Sequence, residues 1–422
     1  MQMKKYKLGE IAEINASSIK SSDKIDEILY LDTANITENR IDTLQRFGLK
    51  KAPSRAQRKV KDNTIIFSTV RPNQSHFGIM KNPASNLIVS SGFATLDIKN
   101  PDEFNADYLY YNLTQPFIVN YLQTVAQNQV SSYPSINPSD LANLNLSFPP
   151  FSEQKKIASV LSSLDEKIAL NNRINEKLEQ LAKRLYDYWF VQFDFPNSDG
   201  KPYKSSGGKM VYNAELKREI PAGWEVTSLK DCISHINTGL NPRDNFKLGN
   251  GTIKYITVKN LTENGNIDFS SCDIIDENAR ELVHNRSEIS IGDILFASIC
   301  PLGRCYLIRT EPKTWDINES VFSIRPNSKK ITSQFLYCIL KDSYYVNKMS
   351  QTATGSIFKG IRINDLEKLL VLLPSETLIN LFTQRTVPIF NYQLSIEQES
   401  AKLIALRDKL LPLLMNGQVE II

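Results

Sequence analysis

Between Ser152 and Phe190 the chain runs for about 39 residues without a glycine or a proline. At ~1.5 Å rise per residue such a run makes a helix roughly 58 Å long. Ser152 suits its N-cap, because a serine hydroxyl accepts one of the orphan amide protons of a first turn. Ile157, Leu164, Asn171, Leu178 and Leu185 recur every seven residues, and Leu161, Ile168, Asn175, Ala182 and Trp189 fill the second seam position. A heptad seam of that length buries its apolar edge only against another helix. Asn171 and Asn175 interrupt the seam at adjacent positions, where buried amides need each other or a partner strand of the coil.

A second run supplies that partner within the chain. Phe382, Ile389, Ile396, Leu403 and Leu410 each lie 225 residues after a member of the first set. Pro388 falls inside this run, so a kink or a late helix start is expected there.

The same offset recurs outside the helices, as a duplicated domain requires. Asn35, Thr37, Glu38 and Asn39 match Asn260, Thr262, Glu263 and Asn264, and Tyr133, Ile136, Asp140, Leu141 and Pro149 match Phe358, Ile361, Asp365, Leu366 and Pro374. Between these blocks the offset drifts to 229, pairing Phe67 with Phe296 and Pro72 with Pro301. Each copy reads alike. A polar start (Leu8–Ile14; Trp224–Ile233) leads to a β-branched strand (Ile28–Ile36; Ile253–Leu261) and, after a turn, a second (Asn63–Pro72; Gly292–Pro301). A short Tyr/Leu-rich helix (Asp107–Leu113; Gln334–Leu340) precedes a polar loop (Gln127–Leu141; Thr352–Leu366). A last strand (Leu144–Phe148; Leu369–Leu373) runs through Pro149 or Pro374 into the long helix. The Gly/Ser/Lys-rich stretch Asn197–Lys209 reads as a flexible linker. The order is domain, helix, linker, domain, helix, in an α+β chain.

At 422 residues the chain has room for these domains, and its hydrophobic content of 41% and charged content of 23% are ordinary for a globular protein. The net charge of +4 permits a polyanionic partner without demanding one. No stretch approaches the roughly 18 uninterrupted apolar residues of a membrane-crossing helix. The cysteines number five, an odd count that argues against a disulfide framework and for the cytoplasm. With three histidines a structural zinc site is not expected.

Catalytic patterns fail on inspection. Phe148–Phe151 reads FPPF, whose first residue cannot accept from an amine as an amino-methyltransferase motif must. Gly249-Asn250-Gly251 follows a polar loop, not a strand, and no GxxxxGK[ST] loop exists. Pro101-Asp102 with Glu153-Gln154-Lys155 has nuclease-like letters, but Glu153 starts a helix. No Ser/His/Asp set is identifiable, so the chain is expected to catalyse nothing by itself.

Hydrogen-bonding side chains instead crowd the loops at equivalent points of both copies. The first carries Arg55, Arg58, Arg71, Asn73, Gln74, His76, Gln127, Asn128, Gln129, Ser131, Ser132 and Tyr133. The second carries Arg243, Lys259, Asn260, Arg304, Thr352, Thr354, Ser356, Lys359 and Arg362. Arginine pairs with guanine and Asn or Gln with adenine in the major groove, while Lys, Ser and Thr suit phosphates. These are the candidate DNA-binding residues.

In this order and at this offset, YPSINPSDLANLNLSFPPFSEQKKIASVLSSLDEKI (Tyr133–Ile168), IPAGWEVTSL (Ile220–Leu229) and LIALRDKLLPLLMNGQVEI (Leu403–Ile421) carry a resemblance. The chain resembles the DNA-specificity subunits of type I restriction-modification enzymes over essentially its full length. The resemblance implies two similar target-recognition domains in tandem (residues 1–150 and 220–375), each reading half of a split site in double-stranded DNA. It implies that the long helices (151–192, and 376–422 with the C-terminal tail), separated by a linker at 193–219, pack as an antiparallel coiled coil. Two methyltransferase subunits would dock there, joined by motor-nuclease subunits in the restriction complex. No cofactor is then expected on this chain; S-adenosylmethionine, ATP and Mg belong on the partner subunits. Two features depart from the simplest pattern: Pro388, and the contrast between the aromatic end of the first helix (Tyr186, Tyr188, Trp189, Phe190) and the LLPLLMNG end of the second (Leu410–Gly417). Half-sites roughly 10 base pairs apart, differing in sequence, are the expected target. The rival expectations are a single-chain nuclease or methyltransferase and a coiled-coil adaptor that binds only protein.

Overall fold

The computed structural model describes residues 3–421 other than 21, 24, 130–133, 354 and 356–358. The chain forms two compact units, residues 1–169 with 400–422 and residues 170–399. The long helices, Phe151–Tyr186 and Glu376–Met415, contribute residues to both units.

In the first unit, strand Ile65–Ser68 opens with the apolar run Ile65–Phe67 because both its faces are covered, and all of its residues are buried. It lies in an antiparallel sheet ordered Ala12–Ile14, Phe93–Ile98, Ile65–Ser68, Phe77–Ile79. A second sheet is ordered Gln45–Gly48, Glu27–Leu31, Leu87–Ser90, Ala56–Lys59, and its central pair is parallel. Lys4–Lys7 pairs with Asn145–Phe148, the strand that feeds the first long helix. Helix Ala106–Leu113 starts at Asn105, whose side chain accepts the Tyr108 amide proton, and helix Pro116–Gln129 follows.

The second unit repeats this topology. Its antiparallel sheet is ordered Ile233–Thr238, Val321–Pro326, Ile294–Ala297, Cys305–Leu307. A three-stranded sheet contains the parallel pair Ile253–Ile256 and Trp315–Ile317, and Glu225–Ser228 pairs with Leu370–Leu373. The 3-10 turns Thr33–Asn35 and Val258–Asn260 occupy equivalent places, as the offset predicts. Helix Glu277–Ser287, capped by Asp276, has no counterpart among the described residues of the first unit. The polar loops are shorter than the sequence suggests, because helices Pro138–Ala142 and Ile363–Glu367 lie inside them.

The helix seams pack as the heptads require. In the first unit Ile157 and Leu161 share a core with Leu410, Leu414 and Met415. In the second, Asn171 Nδ2 donates to Glu399 Oε2 at 2.8 Å, and Gln393 Nε2 reaches the Asn175 carbonyl at 3.5 Å. Rising numbers on one helix meet falling numbers on the other, so the packing is antiparallel. The Asn171 side chain thus finds a polar residue of the second helix, whereas the buried Oδ1 of Asn175 has no hydrogen-bond partner among the described residues. The differing helix ends do the same work: Trp189 and Phe190 are buried in one unit, Leu414 and Met415 in the other.

Two expectations are corrected. Of the two alternatives at Pro388, a kink or a late start, the late start is excluded, because the second long helix begins at Glu376 and runs through Pro388. On the proline's N-terminal side the hydroxyls of Thr383 and Thr386 donate to the carbonyls of Ile379 and Phe382. Asn197–Lys209 is not a flexible linker. The Asp194 carboxylate accepts the Ser205 amide and hydroxyl, each at 2.7 Å, and Tyr203 stacks on Phe195 with centroids 4.6 Å apart. A hairpin, Met210–Asn213 with Arg218–Pro221, follows. Phe193, Phe195 and Ile220 are buried with the second unit's core. Enough aromatic surface flanks the Gly/Ser-rich stretch to fold it down, which composition alone does not register.

Candidate nucleic-acid interface

In each unit the loop after the buried central strand is laced to a segment that follows a helix. In the first unit, Thr69 N–H donates to Gly92 O at 2.9 Å, Ile136 N–H to Thr69 O at 2.9 Å, and Arg71 N–H to Pro134 O at 2.9 Å. In the second, Ser298 N–H donates to Ser320 O at 3.0 Å, Ile361 N–H to Ser298 O at 2.8 Å, and Cys300 N–H to Lys359 O at 2.9 Å. The three bonds correspond one for one, so the repeat preserves the loop's framework while changing its side chains.

On the first framework Arg71, Asn73 and Gln74 are exposed around the 3-10 turn Pro72–Gln74. His76 is half-buried, and burial pushes its imidazole below its ordinary pKa, favouring the neutral ring. Gln127 and Asn128 are exposed at the end of helix Pro116–Gln129, whose earlier residue Gln123 accepts the Asn73 amide proton at 3.3 Å. Arg55 is exposed, and its carbonyl accepts the Ser91 amide at 2.7 Å, one residue from Gly92. Arg58 is half-buried and donates to Ser18 Oγ at 3.1 Å, so it braces the fold.

On the second framework Lys359 and Arg362 are exposed. Arg304 pairs with Glu263 at 3.4 Å, and the Thr352 hydroxyl donates to the Met349 carbonyl. Arg243 is exposed beyond Pro242, on a separate loop, and Lys259 is exposed but pairs with Asp273 at 3.5 Å. Asn260 is a correction. It is wholly buried, its Oδ1 accepts from the Thr257 amide and hydroxyl, and its Nδ2 donates to Asp268 O and Ser271 Oγ. It shapes the 3-10 turn and cannot reach a base. The Gln129 side chain, Ser131, Ser132, Tyr133, Thr354 and Ser356 lie outside the described residues.

Sequence reasoning missed Gln123 and the aromatic pair Phe117 and Tyr121, which are 60% and 58% exposed on the same helix. Their spacing of four was the available signal. It also missed a contact among Ser287, Asp316 and His284. Ser287 Oγ lies 2.6 Å from Asp316 Oδ1, and His284 Nδ1 lies 3.0 Å from Asp316 Oδ2. The carboxylate sits between the other two, so the imidazole touches no hydroxyl and activates no nucleophile. Among the nuclease-like letters, Glu153 pairs with Lys156 at 3.2 Å and Lys155 covers the Phe151 ring at 4.4 Å. Gln154 is buried, donating to the carbonyls of Glu103 and Pro149 and accepting from the Asn105 amide. Burial pushes the thiols of Cys232 and Cys305 up to about 11 and about 12, which keeps them protonated. Among the described residues no group of His, Cys, Asp and Glu is placed to hold a metal ion, and no helix is long and apolar enough to cross a membrane.

The Type I restriction modification DNA specificity domain matches residues 2–180 and again residues 221–377. The chain is 24% identical to the type I restriction enzyme HindI specificity subunit of Haemophilus influenzae, over 99% of each chain. It is 27% identical to the MjaIX specificity subunit of Methanocaldococcus jannaschii, over 99% of this chain and 93% of that one. The type I restriction-modification S subunit from M. genitalium shares the fold, with a TM-score of 0.55 at 16% identity over 98% of this chain and 96% of that chain.

Proposed function

The chain belongs to the type I restriction modification DNA specificity family, and from that premise we propose that it reads a split, asymmetric DNA site on behalf of partner enzymes. The observation that carries this reading is the duplicated loop framework. Equivalent backbone bonds in the two units present unlike side chains, Arg71, Asn73 and Gln74 in one and Arg304, Lys359 and Arg362 in the other. Two frameworks of one design bearing different donors read two different short sequences, so the site is not a palindrome. Backbone contacts from lysines and hydroxyls fix register, and arginine and amide side chains select bases.

The long helices are the spacer between the half-sites and the dock for two methyltransferase subunits, with motor-nuclease subunits joining for restriction. S-adenosylmethionine, ATP and Mg serve those partners, and this chain is a non-catalytic cytoplasmic subunit. A charge of +4 supports modest affinity alone, strengthened when the partners close around the duplex. The test is a genome-wide map of methylated adenines with and without this chain. A split motif with unlike halves, lost on deletion, is the expected result, and an unchanged map would overturn the reading. Methyl transfer by the purified chain with S-adenosylmethionine alone would overturn the non-catalytic assignment.

A further inference from the structure

Resting on the DNA-reading role above, we infer that Arg71 reads a guanine in the half-site of the first unit and that Gln123 positions it. Arg71 sits at φ 47° and ψ 67°, in the left-handed region. A side chain there crowds its own carbonyl, and a glycine would remove the crowding. Strain of this kind persists only where surrounding structure enforces it, and it concentrates at functional positions. The arginine side chain is exposed.

The second unit supplies an internal comparison. Cys300 stands where Arg71 does, making the equivalent amide bond to Lys359 O. Its φ is not positive, and the left-handed residue of that loop is a glycine, Gly303, at φ 87°. The two loops thus differ before the proline, where Cys300–Pro301 is cis and Arg71 is left-handed, while Ser75 at φ 55° lies near the place of Gly303. What arginine adds is a fork of five donors that matches O6 and N7 of guanine.

The turn is held from three sides. Thr69 ties it to the sheet through Gly92, Arg71 N–H ties it to Pro134, and Asn73 N–H ties it to the side-chain carbonyl of Gln123 at 3.3 Å. Within the turn, the amides of Gln74 and Ser75 donate to the carbonyls of Arg71 and Pro72. A reading side chain on a backbone fixed this way loses little freedom on binding. Gln123 lies on the helix and not in the turn, so it acts through Asn73 and is a positioning residue.

The experiment maps methylated adenines for the complete complex carrying the wild-type chain, Arg71→Gly, Arg71→Lys, Gln123→Ala or Gln123→Glu, and measures each chain's melting temperature. For Arg71→Gly the melting temperature is unchanged or higher. Preference at one G·C position of one half-site falls by roughly 10- to 100-fold, and the other half-site is untouched. Arg71→Lys loses part of that preference because it keeps charge without the fork. Gln123→Ala relaxes the same position, and Gln123→Glu, which keeps an acceptor oxygen, restores it. An unaltered motif for Arg71→Gly overturns the inference. So does a uniform loss at every site, which would make Arg71 a phosphate contact, or a lowered melting temperature with both half-sites weakened together. A wild-type complex that yields no split motif would overturn the DNA-reading role itself, and is distinguished by failing before any substitution is made.

Discussion

Asp165 Oδ1 accepts from Arg407 Nη1 at 3.0 Å, while its other oxygen accepts the Tyr111 hydroxyl at 2.7 Å. One carboxylate on the first long helix thus fastens both the second long helix and the helix Ala106–Leu113. Burial, followed by the Asp165 charge, pushes the Tyr111 phenol far above its ordinary range, so it donates at every accessible pH. Asp165→Ala strands the Tyr111 hydroxyl and leaves Arg407 only its pair with Asp408 at 2.9 Å, and should cost about 2 kcal/mol, since each charged hydrogen bond contributes about 1.5–3 kcal/mol and the site is partly exposed. Asp165→Asn keeps one acceptor and should cost less. Urea unfolding followed by tyrosine fluorescence separates the two, and equal losses would show that Tyr111 contributes nothing.

Arg309 Nη2 donates to both carboxylate oxygens of Glu397, at 2.7 and 2.8 Å, and Nη1 donates to the Phe390 carbonyl at 3.0 Å. Burial pushes the Glu397 carboxyl up despite the facing guanidinium. Removing only one charge leaves the other stranded, so Arg309→Met should cost about 3 kcal/mol. The double replacement Arg309→Met with Glu397→Met removes both charges and should recover to within about 1 kcal/mol of wild type. A double variant as weak as the single one would show that the pair stabilises the helix contact in its own right.

Asp316 gives a pH dependence of definite sign. Burial raises its carboxyl above the ordinary value, with Ser287, the Ile317 amide and His284 pulling the other way. A raised carboxyl means that folding favours the protonated form. Its contribution is present below the unfolded pKa, about 3.9, and is lost as pH rises through the folded value. Asp316→Asn stays neutral, so its stability relative to wild type should climb as pH rises from about 4 and then level off. Urea midpoints taken across that range test this, and a difference that falls with pH would refute the burial argument.

The duplicated architecture was legible because its signals are periodic or repeated. Seven-residue spacing survives any loop change, and the 225-residue offset led to matching turns at Asn35 and Asn260. Individual roles were not legible, because a residue type does not disclose its burial. Asn260 and Asn73 read alike in sequence, yet one is sealed within a turn and the other is exposed on one. Gln123 escaped notice because its partner is a backbone amide 50 residues away, a relation no local pattern encodes. Pro388 misled for a related reason. Its local cost is real, but the apolar seam on both sides, Phe382 to Leu410, carries the helix across it.

The segment Asn197–Lys209 offers the plainest test of how tertiary packing overrides composition. Gly207 has φ 84°, and a Cβ added to Gly208 would lie 2.4 Å from the Tyr203 ring, so these glycines serve a turn closed over an aromatic. Farther along, the Arg218 guanidinium covers the Tyr344 ring at 4.7 Å and the Phe193 ring at 5.7 Å. Trypsin should therefore leave Lys204 and Lys209 intact in the folded chain, although a flexible stretch of this composition would be cut at once. Gly208→Ala should displace Tyr203 from Phe195 and open both sites. Arg218→Ala should accelerate cleavage less, since it removes about 1 kcal/mol of cation–π contact and leaves the stacked rings in place. Rapid cutting of the wild-type chain at these lysines would restore the flexible-linker reading.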